Sequence, residues 1–344
     1  MQTRLAVPDD NAIAEAARLL QDGQVVAFPT ETVYGLGANA LDANAVGRIF
    51  AAKGRPSDNP LIVHVARRGD VFPLIEGDIP ESAQKLMEAY WPGPMTIILR
   101  KNPALPYAVT AGLDTVGIRM PSHPVAQKLI LKAQLPIAAP SANLSGRPSP
   151  TSARHVFEDM DGRIPLILDG GKCDVGLEST VIDCTTYPPR VLRPGGVTPE
   201  MIARAAGDVD VDESALRPLM EGEIARSPGV KYRHYAPKGR VTIVRGEEKA
   251  VASAICALYD EALQQGKTPY ILSLRAHLPL YGGRNAFDLG LDAKDMANTL
   301  FAALRRMDSL GADAIFSEAV DEDGVGLAVM NRLDRAASFH IIDA

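Results

Sequence analysis

Apolar residues in the first 207 positions form short continuous runs and helical repeats, which predicts strands interspersed with helices. Gly and Pro residues bound many of these segments, as they do at turns. Because strands and helices alternate only in part, the pattern favours an α/β unit built on a mixed sheet. The predicted helices are 13–21, 43–53, 81–90 and 125–133, and the predicted strands are 25–28, 61–65, 95–99, 116–120, 136–139, 166–168, 180–183 and 190–192.

The pattern changes after residue 207. Residues 207–223 hold six acids and one base, and 224–246 hold six bases and no acid. We interpret 208–239 as a linker, whose basic half is either a solvated loop or an ordered loop facing an anion. From residue 240 to 344, strands (241–244, 270–274, 314–317) alternate with helices (250–265, 292–310, 327–337), which predicts a small parallel sheet with crossover helices.

Composition narrows the class of protein. The chain has 344 residues and 46% apolar residues, enough for two packed domains. It has no apolar run long enough to span a membrane, and its first residues lack a signal-peptide core. Three scattered cysteines without a CxxC pair favour a reducing cytosol. The net charge of −6 argues against a protein that binds a large nucleic acid through its phosphates.

One glycine motif is a weak match to a dinucleotide-binding fingerprint. Residues 35–40 read GLGANA, but the first glycine lies seven residues beyond the predicted strand end at Phe28. No acid ends a second strand about 20 residues later, as a ribose contact requires. There is also no GxxxxGK[ST] phosphate loop. We therefore expect no nicotinamide site at residues 35–40.

Polar side chains follow several apolar strands, where open α/β sheets bind ligands. Lys53 and Arg55, stiffened by nearby prolines, suit a polyphosphate, although a lysine also serves as a helix C-terminal residue. Arg119 lies inside an apolar strand and needs a partner, either a ligand carboxylate or a buried structural Asp. The hydroxyls and amides of 139–150 suit phosphate and ribose, and also ordinary turns.

Taken together, these segments resemble the YrdC-type threonylcarbamoyl-AMP synthases in their long form, which carries a C-terminal extension. The resemblance runs from FPTETVYGLGANA through KGRPSDNPLIVHV, WPGPMTIIL, VGIRMP, APSANLSGRPSPT, LESTVIDC and VLRPG to SPGVKYRHYAP. It implies a twisted open mixed sheet in 1–207, a lid formed by 208–239, and a small Rossmann-like domain in 240–344. It also implies that the glycine motif at 35–40 is a turn under the threonine-binding loop.

The resemblance also implies two neighbouring subsites. Threonine would be held by Thr32, His64, Arg119, the backbone at Ala139, and Ser179, with Arg119 taking the carboxylate. ATP would be held by Arg55, Asn59, Thr115, Ser141, Ser149 and Arg193, with Tyr232 and His234 as contacts from the lid. The catalytic phosphate-side cluster would be Lys53, Arg55, Ser141 and Asn143.

The implied activity is that of a cytoplasmic nucleotidyltransferase. It would convert L-threonine, bicarbonate and ATP into L-threonylcarbamoyl-AMP and pyrophosphate, the first step of threonylcarbamoyladenosine formation in tRNA. Mg²⁺ is expected to arrive with ATP without a metal site made by the protein. tRNA would be reached indirectly, through a downstream transferase complex. The alternative is an RNA-binding module of the same fold that lacks this activity.

Overall fold

The computed structural model describes residues 2–217, 227 and 235–344. The chain forms two compact units, Met1–Ser145 with Ser149–Lys231, and Gly146–Pro148 with Tyr232–Ala344. None of the helices in the described part of the chain has both the length and the apolar character needed to cross a bilayer.

The first unit is built on a mixed sheet of eleven strands among the described residues, in the order β1-β8-β2-β3-β7-β4-β6-β5-β9-β10-β11. Both parallel and antiparallel pairs occur, so the predicted mixed α/β sheet is confirmed. Its strands are β1 (Arg4–Ala6), β2 (Val26–Phe28), β3 (Gly35–Asn39), β4 (Ile62–His64), β5 (Met95–Arg100), β6 (Thr115–Arg119), β7 (Ile137–Ala139), β8 (Leu166–Leu168), β9 (Thr180–Asp183), β10 (Arg190–Arg193) and β11 (Asp210–Val211).

The helices of this unit begin and end where the local sequence dictates. The Asp42 side chain accepts from the Asn44 N–H and caps the helix Ala43–Lys53, and Gly54 ends it in a left-handed conformation (φ 60°). Lys53 is thereby fixed in the last turn. The helices are α1 (Asp10–Gln21), α2 (Ala43–Lys53), α3 (Glu81–Tyr90), α4 (Tyr107–Thr110), α5 (Pro124–Ala133), α6 (Ala153–Met160) and α7 (Pro199–Ala206).

The glycine motif at 35–40 is not a turn. Residues Gly35–Asn39 form β3, which pairs antiparallel with β2 and with β7, so the sequence-based interpretation was wrong. A Cβ on Gly37 would lie 2.7 Å from both Ile137 Cγ2 and Phe28 Cε1. The glycine is required because the neighbouring side chains occupy the space that a side chain would need.

The second unit is a smaller sheet, and all its strands are parallel, in the order β14-β13-β15-β12-β16. This confirms the predicted small parallel domain, with crossover helices joining the strands. Its elements are β12 (Arg240–Arg245), α8 (Glu248–Gln264), β13 (Pro269–Ser273), β14 (Ala286–Asp288), α9 (Ala293–Ser309), β15 (Ala314–Glu318), α10 (Val325–Ala336) and β16 (Ile341–Asp343).

Candidate active site

Strand register aligns three polar side chains in a row across the large sheet. Parallel pairing of β4 with β6 sets His64 opposite Arg119, and antiparallel pairing of β5 with β6 sets Thr96 opposite Arg119. Directly opposed residues of neighbouring strands point to the same face of a sheet. His64, Arg119 and Thr96 are all buried, so this polar row lies within the protein.

An apolar floor adjoins the polar row. On the same face, two residues away from the polar row on each strand, Ile62 and Ile98 lie opposite Gly117, and Ala139 of β7 lies opposite Ile62. Gly117 leaves the middle of this floor without a side chain. A Cβ at this position would lie 3.1 Å from Thr96 Cγ2. A narrow cleft of about 10 Å³ above it is lined by Pro60, Leu61, Ile62, Thr96, Ile98, Leu113, Thr115, Gly117 and Val181.

Thr115 marks the far end of the same face. It precedes Arg119 by four residues on β6, so the two side chains share a face and are separated by roughly 13 Å along the strand. A nucleotide-sized molecule can span such a distance. Thr115 also lines a more polar cavity of 590 Å³, whose other lining residues are Glu76, Arg100, Lys101, Pro103, Tyr107, Asp114, Thr185 and Thr186.

Arg119 is held on three sides by the protein. Its Nε donates to the Gly93 carbonyl at 3.3 Å, and Nη1 donates to Thr32 Oγ1 at 2.8 Å. Nη2 lies 2.8 Å from Glu31 Oε1 in a buried ion pair. The partner that the sequence left open is therefore a glutamate three residues after Phe28. Because a guanidinium has five N–H groups, these contacts leave one on each Nη for a ligand carboxylate.

Glu31 is a site residue that the sequence reasoning missed. Burial is the largest single influence and would raise its pKa, but the positive charge of Arg119 and hydrogen bonding to the carboxylate together outweigh burial and hold the pKa below its ordinary value. Glu31 is therefore ionised, and the pair is neutral as a unit. The signal in the sequence was the acid within PTET, which follows the strand end at Phe28.

His64 is neutral in this environment. Burial is the main cause that lowers its pKa, to about 3, and the charge of Arg119 lowers it further. The ring Nδ1 lies 3.3 Å from the Ile137 carbonyl oxygen, which can only accept a hydrogen bond. The proton therefore belongs on Nδ1, and Nε2 is left as an acceptor.

Ser179 connects two groups that the sequence assigned to different subsites. Arg193 donates from Nε (3.1 Å) and Nη2 (2.9 Å) to the Ser179 carbonyl, and Nη2 also lies 3.2 Å from the Ser179 hydroxyl. That hydroxyl lies 2.8 Å from Thr96 Oγ1, in the polar row. A residue predicted for threonine thus contacts a residue predicted for ATP, which makes the two regions neighbours. Thr96 was missed by the sequence reasoning.

Ser149 is tied to another acid. Its hydroxyl donates to Glu178 Oε1 at 2.5 Å, and both side chains are buried. Glu178 directly precedes Ser179, so the Ser149 loop is fixed against the start of β9. The sequence placed Glu178 in a polar segment but assigned it no role.

Lys53 joins the end of α2 to the loop after β7. Its ammonium donates to the carbonyls of Ser141 and Asn143, the latter at 2.6 Å, and lies 3.4 Å from Asn143 Oδ1. The Ser141 hydroxyl also donates to Asn143 Oδ1, at 2.5 Å. The structure therefore brings together Lys53, Ser141 and Asn143, three of the four residues predicted for the phosphate side. Their mutual bonds give Lys53 a part in shaping the loop.

Arg55 lies with Asn59 in the loop after α2. Its Nη2 donates to the carbonyls of Asn59 (3.1 Å) and Pro60 (3.4 Å). The Asn59 side chain is fully buried, and neither its oxygen nor its nitrogen has a hydrogen-bond partner among the described residues. Buried amides are normally satisfied, so this amide is a strong candidate to bind a ligand.

Two further predictions concern residues outside the described part of the chain. Tyr232 and His234, expected to contact ATP from the lid, lie there, so these assignments stay predictions.

The fold and this site define a two-domain α/β protein with a buried arginine–glutamate ion pair beside an apolar cleft. A family model described as "Telomere recombination" (Sua5/YciO/YrdC) matches residues 18–195, and "Threonylcarbamoyl-AMP synthase, C-terminal domain" matches residues 197–338. The chain belongs to the threonylcarbamoyl-AMP synthase family, as the sequence resemblance indicated.

Relatives match almost the whole chain. The threonylcarbamoyl-AMP synthase of Pyrococcus abyssi is 48% identical over 327 residues, covering 95% of this chain and 94% of that protein. The Bacillus subtilis enzyme of the same name is 47% identical over 339 residues, covering 97% and 95%. The crystal structure of P. abyssi Sua5 complexed with L-threonine has 46% identity and a TM-score of 0.93, covering 100% of this chain and 99% of that one.

Proposed function

We propose that the protein is a nucleotidyltransferase that makes L-threonylcarbamoyl-AMP from L-threonine, bicarbonate and ATP, with release of pyrophosphate. The observation that carries the proposal is the buried row of His64, Arg119 and Thr96 at the edge of an apolar cleft. It places one buried cation and neutral hydrogen-bonding groups on one face of the sheet, which are the groups that an amino acid needs. Support also comes from relatives that carry the name threonylcarbamoyl-AMP synthase.

In this proposal, Arg119 binds the threonine carboxylate through the N–H groups that Gly93, Thr32 and Glu31 leave over. A bidentate guanidinium–carboxylate pair fixes orientation as well as charge. The remaining contacts of the amino acid come from Thr32, the neutral His64, the backbone at Ala139, and Ser179. The support for the amino acid itself is the P. abyssi relative, whose crystal structure contains L-threonine.

ATP would lie over the apolar floor. The base and ribose would extend toward Thr115, and the phosphates toward the loops of Arg55, Asn59, Ser141, Ser149 and Arg193. The unsatisfied amide of Asn59 supports this placement. At the phosphate end, Lys53 would supply positive potential, and its hydrogen bond to Asn143 would fix the conformation of the loop.

The chemistry requires positioning more than covalent catalysis. The threonine amine adds to carbon dioxide derived from bicarbonate and loses a proton, giving a carbamate. A carbamate oxygen then attacks the α-phosphorus in line, the bond to the β,γ-pyrophosphate breaks, and pyrophosphate leaves. Fixed cations beside the reacting phosphate stabilise the charge that develops there.

Mg²⁺ would enter with ATP and neutralise the phosphates. Among the described residues there is no group of three or more His, Cys, Asp or Glu side chains that could hold a metal. The nucleotide would therefore provide most of the metal ligands in this proposal. We place the reaction in the cytoplasm, because the chain carries only three scattered cysteines and no CxxC pair. We expect the product to reach tRNA through a separate transferase complex.

The test is pyrophosphate release from ATP with each substrate omitted in turn. We expect turnover only when L-threonine and bicarbonate are both present, and loss of turnover in Arg119→Ala. Pyrophosphate release that does not depend on threonine would overturn the proposal. The relatives do not favour the RNA-binding alternative, and filter binding against salt tests it, because phosphate-mediated binding weakens steeply with salt.

A further inference from the structure

A chain of hydroxyl groups extends from Arg119 into the loop after β2. Arg119 Nη1 donates to Thr32 Oγ1 at 2.8 Å, and Thr32 Oγ1 lies 2.8 Å from Thr30 Oγ1. Thr30 Oγ1 in turn lies 2.6 Å from the Val33 carbonyl oxygen. Thr30 and Thr32 are 2% and 0% exposed, so water does not compete for these contacts.

The direction of every proton in this chain follows from the groups involved. A carbonyl oxygen cannot donate, so the single hydroxyl hydrogen of Thr30 points to Val33 O. Thr30 has no second hydrogen, so the 2.8 Å contact requires Thr32 to donate to Thr30. The longer contacts from the N–H groups of Thr32 (3.2 Å) and Val33 (3.3 Å) share the other lone pair of Thr30. Arg119 only donates, and thus uses one lone pair of Thr32. Thr32 is left with one unused lone pair and no hydrogen to give.

We propose that Thr30 is a positioning residue that makes Thr32 an acceptor only, and so selects an N–H or O–H donor of the amino-acid substrate. This inference rests on the proposed function and deepens it, because it assigns the polarity of the amino-acid pocket. His64 acts in the same sense, since its Nδ1 proton is directed to Ile137 O and its Nε2 can only accept. The pocket then combines a cationic donor, Arg119, with two fixed acceptors.

Fixed polarity of this kind gives selectivity. A buried acceptor that meets no donor loses a hydrogen bond it would have had in water, so a ligand lacking the donor is rejected. Without Thr30, the Thr32 hydroxyl could rotate and present its hydrogen instead. Binding would then have to select the orientation in which Thr32 accepts from among several hydroxyl orientations.

The central experiment compares Thr30→Val with Thr30→Ser. Valine has the shape of threonine but cannot accept from Thr32, whereas serine keeps the hydroxyl. We expect Thr30→Val to raise the KM for L-threonine about tenfold, as for loss of one buried hydrogen bond, and to leave the KM for ATP unchanged. Thr30→Ser should restore the wild-type KM. Equal impairment of both variants, or an unchanged KM for L-threonine in Thr30→Val, would overturn the proposal.

Thr30 also stabilises its own turn, since its Oγ1 accepts from the N–H groups of Thr32 (3.2 Å) and Val33 (3.3 Å). Thermal melting of each variant therefore accompanies the kinetics. If Thr30→Val does not fold, Thr32→Val against Thr32→Ser gives the same comparison, because it removes the acceptor and leaves the Thr30–Val33 bond. The same tenfold rise in KM is expected for Thr32→Val only, and its absence would overturn the proposal.

L-2-Aminobutyrate, which lacks the threonine hydroxyl, identifies the donor. If Thr30→Val weakens threonine but not the analogue, Thr32 accepts from the side-chain hydroxyl; equal weakening assigns the amine, and both results support the proposal. Pyrophosphate release by the wild-type protein is the reference. Failure of that release would refute the proposed function, whereas failure of the Thr30 comparison alone would refute only this inference.

Discussion

Glu31→Gln is the substitution that most directly tests the electrostatics of the pocket. Glutamine keeps the shape of the side chain and removes its charge, so Arg119 becomes a buried cation without its counter-ion. Both side chains are almost fully buried, at 6% and 4% exposed, and their atoms lie 2.8 Å apart. The hydrogen bonds from Arg119 to Gly93 and Thr32 remain, so the loss of folding free energy is smaller than for a cation without any partner.

Breaking a buried ion pair on one side typically costs about 3–5 kcal/mol. Because Arg119 keeps two hydrogen bonds, we expect the low end, about 3 kcal/mol. In a domain of this size 1 kcal/mol corresponds to roughly 2–4 °C, so the melting temperature of the first unit should fall by about 6–12 °C. Scanning calorimetry at pH 7 would measure this fall.

The substrate should reverse part of this loss. The threonine carboxylate would supply the negative charge that Glu31→Gln removes, so saturating L-threonine should stabilise the variant more than the wild type. Glu81→Gln is the matched control, since Glu81 forms an exposed i,i+4 pair with Lys85 that is worth little. A Glu31→Gln melting shift no larger than that of Glu81→Gln would refute the reasoning, as would threonine protecting both proteins equally.

Three other substitutions address separate parts of the site. Lys53→Met should lower the rate of pyrophosphate release by on the order of 10²–10³, because the loop of Ser141 and Asn143 loses its cationic anchor; near-normal turnover would contradict this. Gly117→Val should raise the KM for ATP more than that for threonine, since a Cβ already meets Thr96 at 3.1 Å; equal changes would argue against nucleotide on this floor. His64→Asn should make stability less sensitive to acid. The pKa of His64 is about 3 in the folded protein and 6.5 in the unfolded chain, so the unfolded chain binds the proton first as the pH falls. The stability of the wild type therefore decreases below pH 6.5, by at most about 1.4 kcal/mol per pH unit. Denaturant titrations at pH 7 and pH 5 would rule this out if both proteins lost the same free energy of unfolding.

The sequence predicted helices better than it predicted edge strands. Helices 43–53 and 81–90 were predicted with the bounds that the structure has, and for the first of these Asp42 and Gly54 mark both ends. The three-residue strands Arg4–Ala6, Ala286–Asp288 and Ile341–Asp343 were missed. The strand Leu166–Leu168 is equally short but was predicted, because it is a continuous buried apolar run. The three missed strands are partly exposed and mix polar with apolar residues, so pairing with a neighbour decides their conformation.

The strand Gly35–Asn39 was missed for a different reason. Its glycines have low strand propensity and suggested a turn, yet they are needed because Phe28 and Ile137 fill the space beside Gly37. That requirement exists only after distant segments have packed. Local sequence therefore pointed to the wrong element, and the tertiary contact decided it.

In the candidate site, the type of side chain was easier to predict than the residues with which it pairs. The sequence identified Arg119 as a buried cation that needs a partner, but could not distinguish a ligand carboxylate from a protein acid. Glu31 is the protein partner, and it reaches Arg119 across 88 residues of chain. Thr96 was missed because a threonine inside an apolar strand is typical of strands generally, and only register sets it beside Arg119.

The polar row also makes the proposed amino-acid site depend on strand alignment. His64, Thr96 and Arg119 come from three separate strands and meet only through their pairing. A slip of β6 by a single position would turn Arg119 to the opposite side of the sheet and bring Ile118 into its place. A misaligned chain would thus lose the cation that we propose binds the threonine carboxylate, and would also place a charge in its apolar core, so the proposed site and the core require the same register.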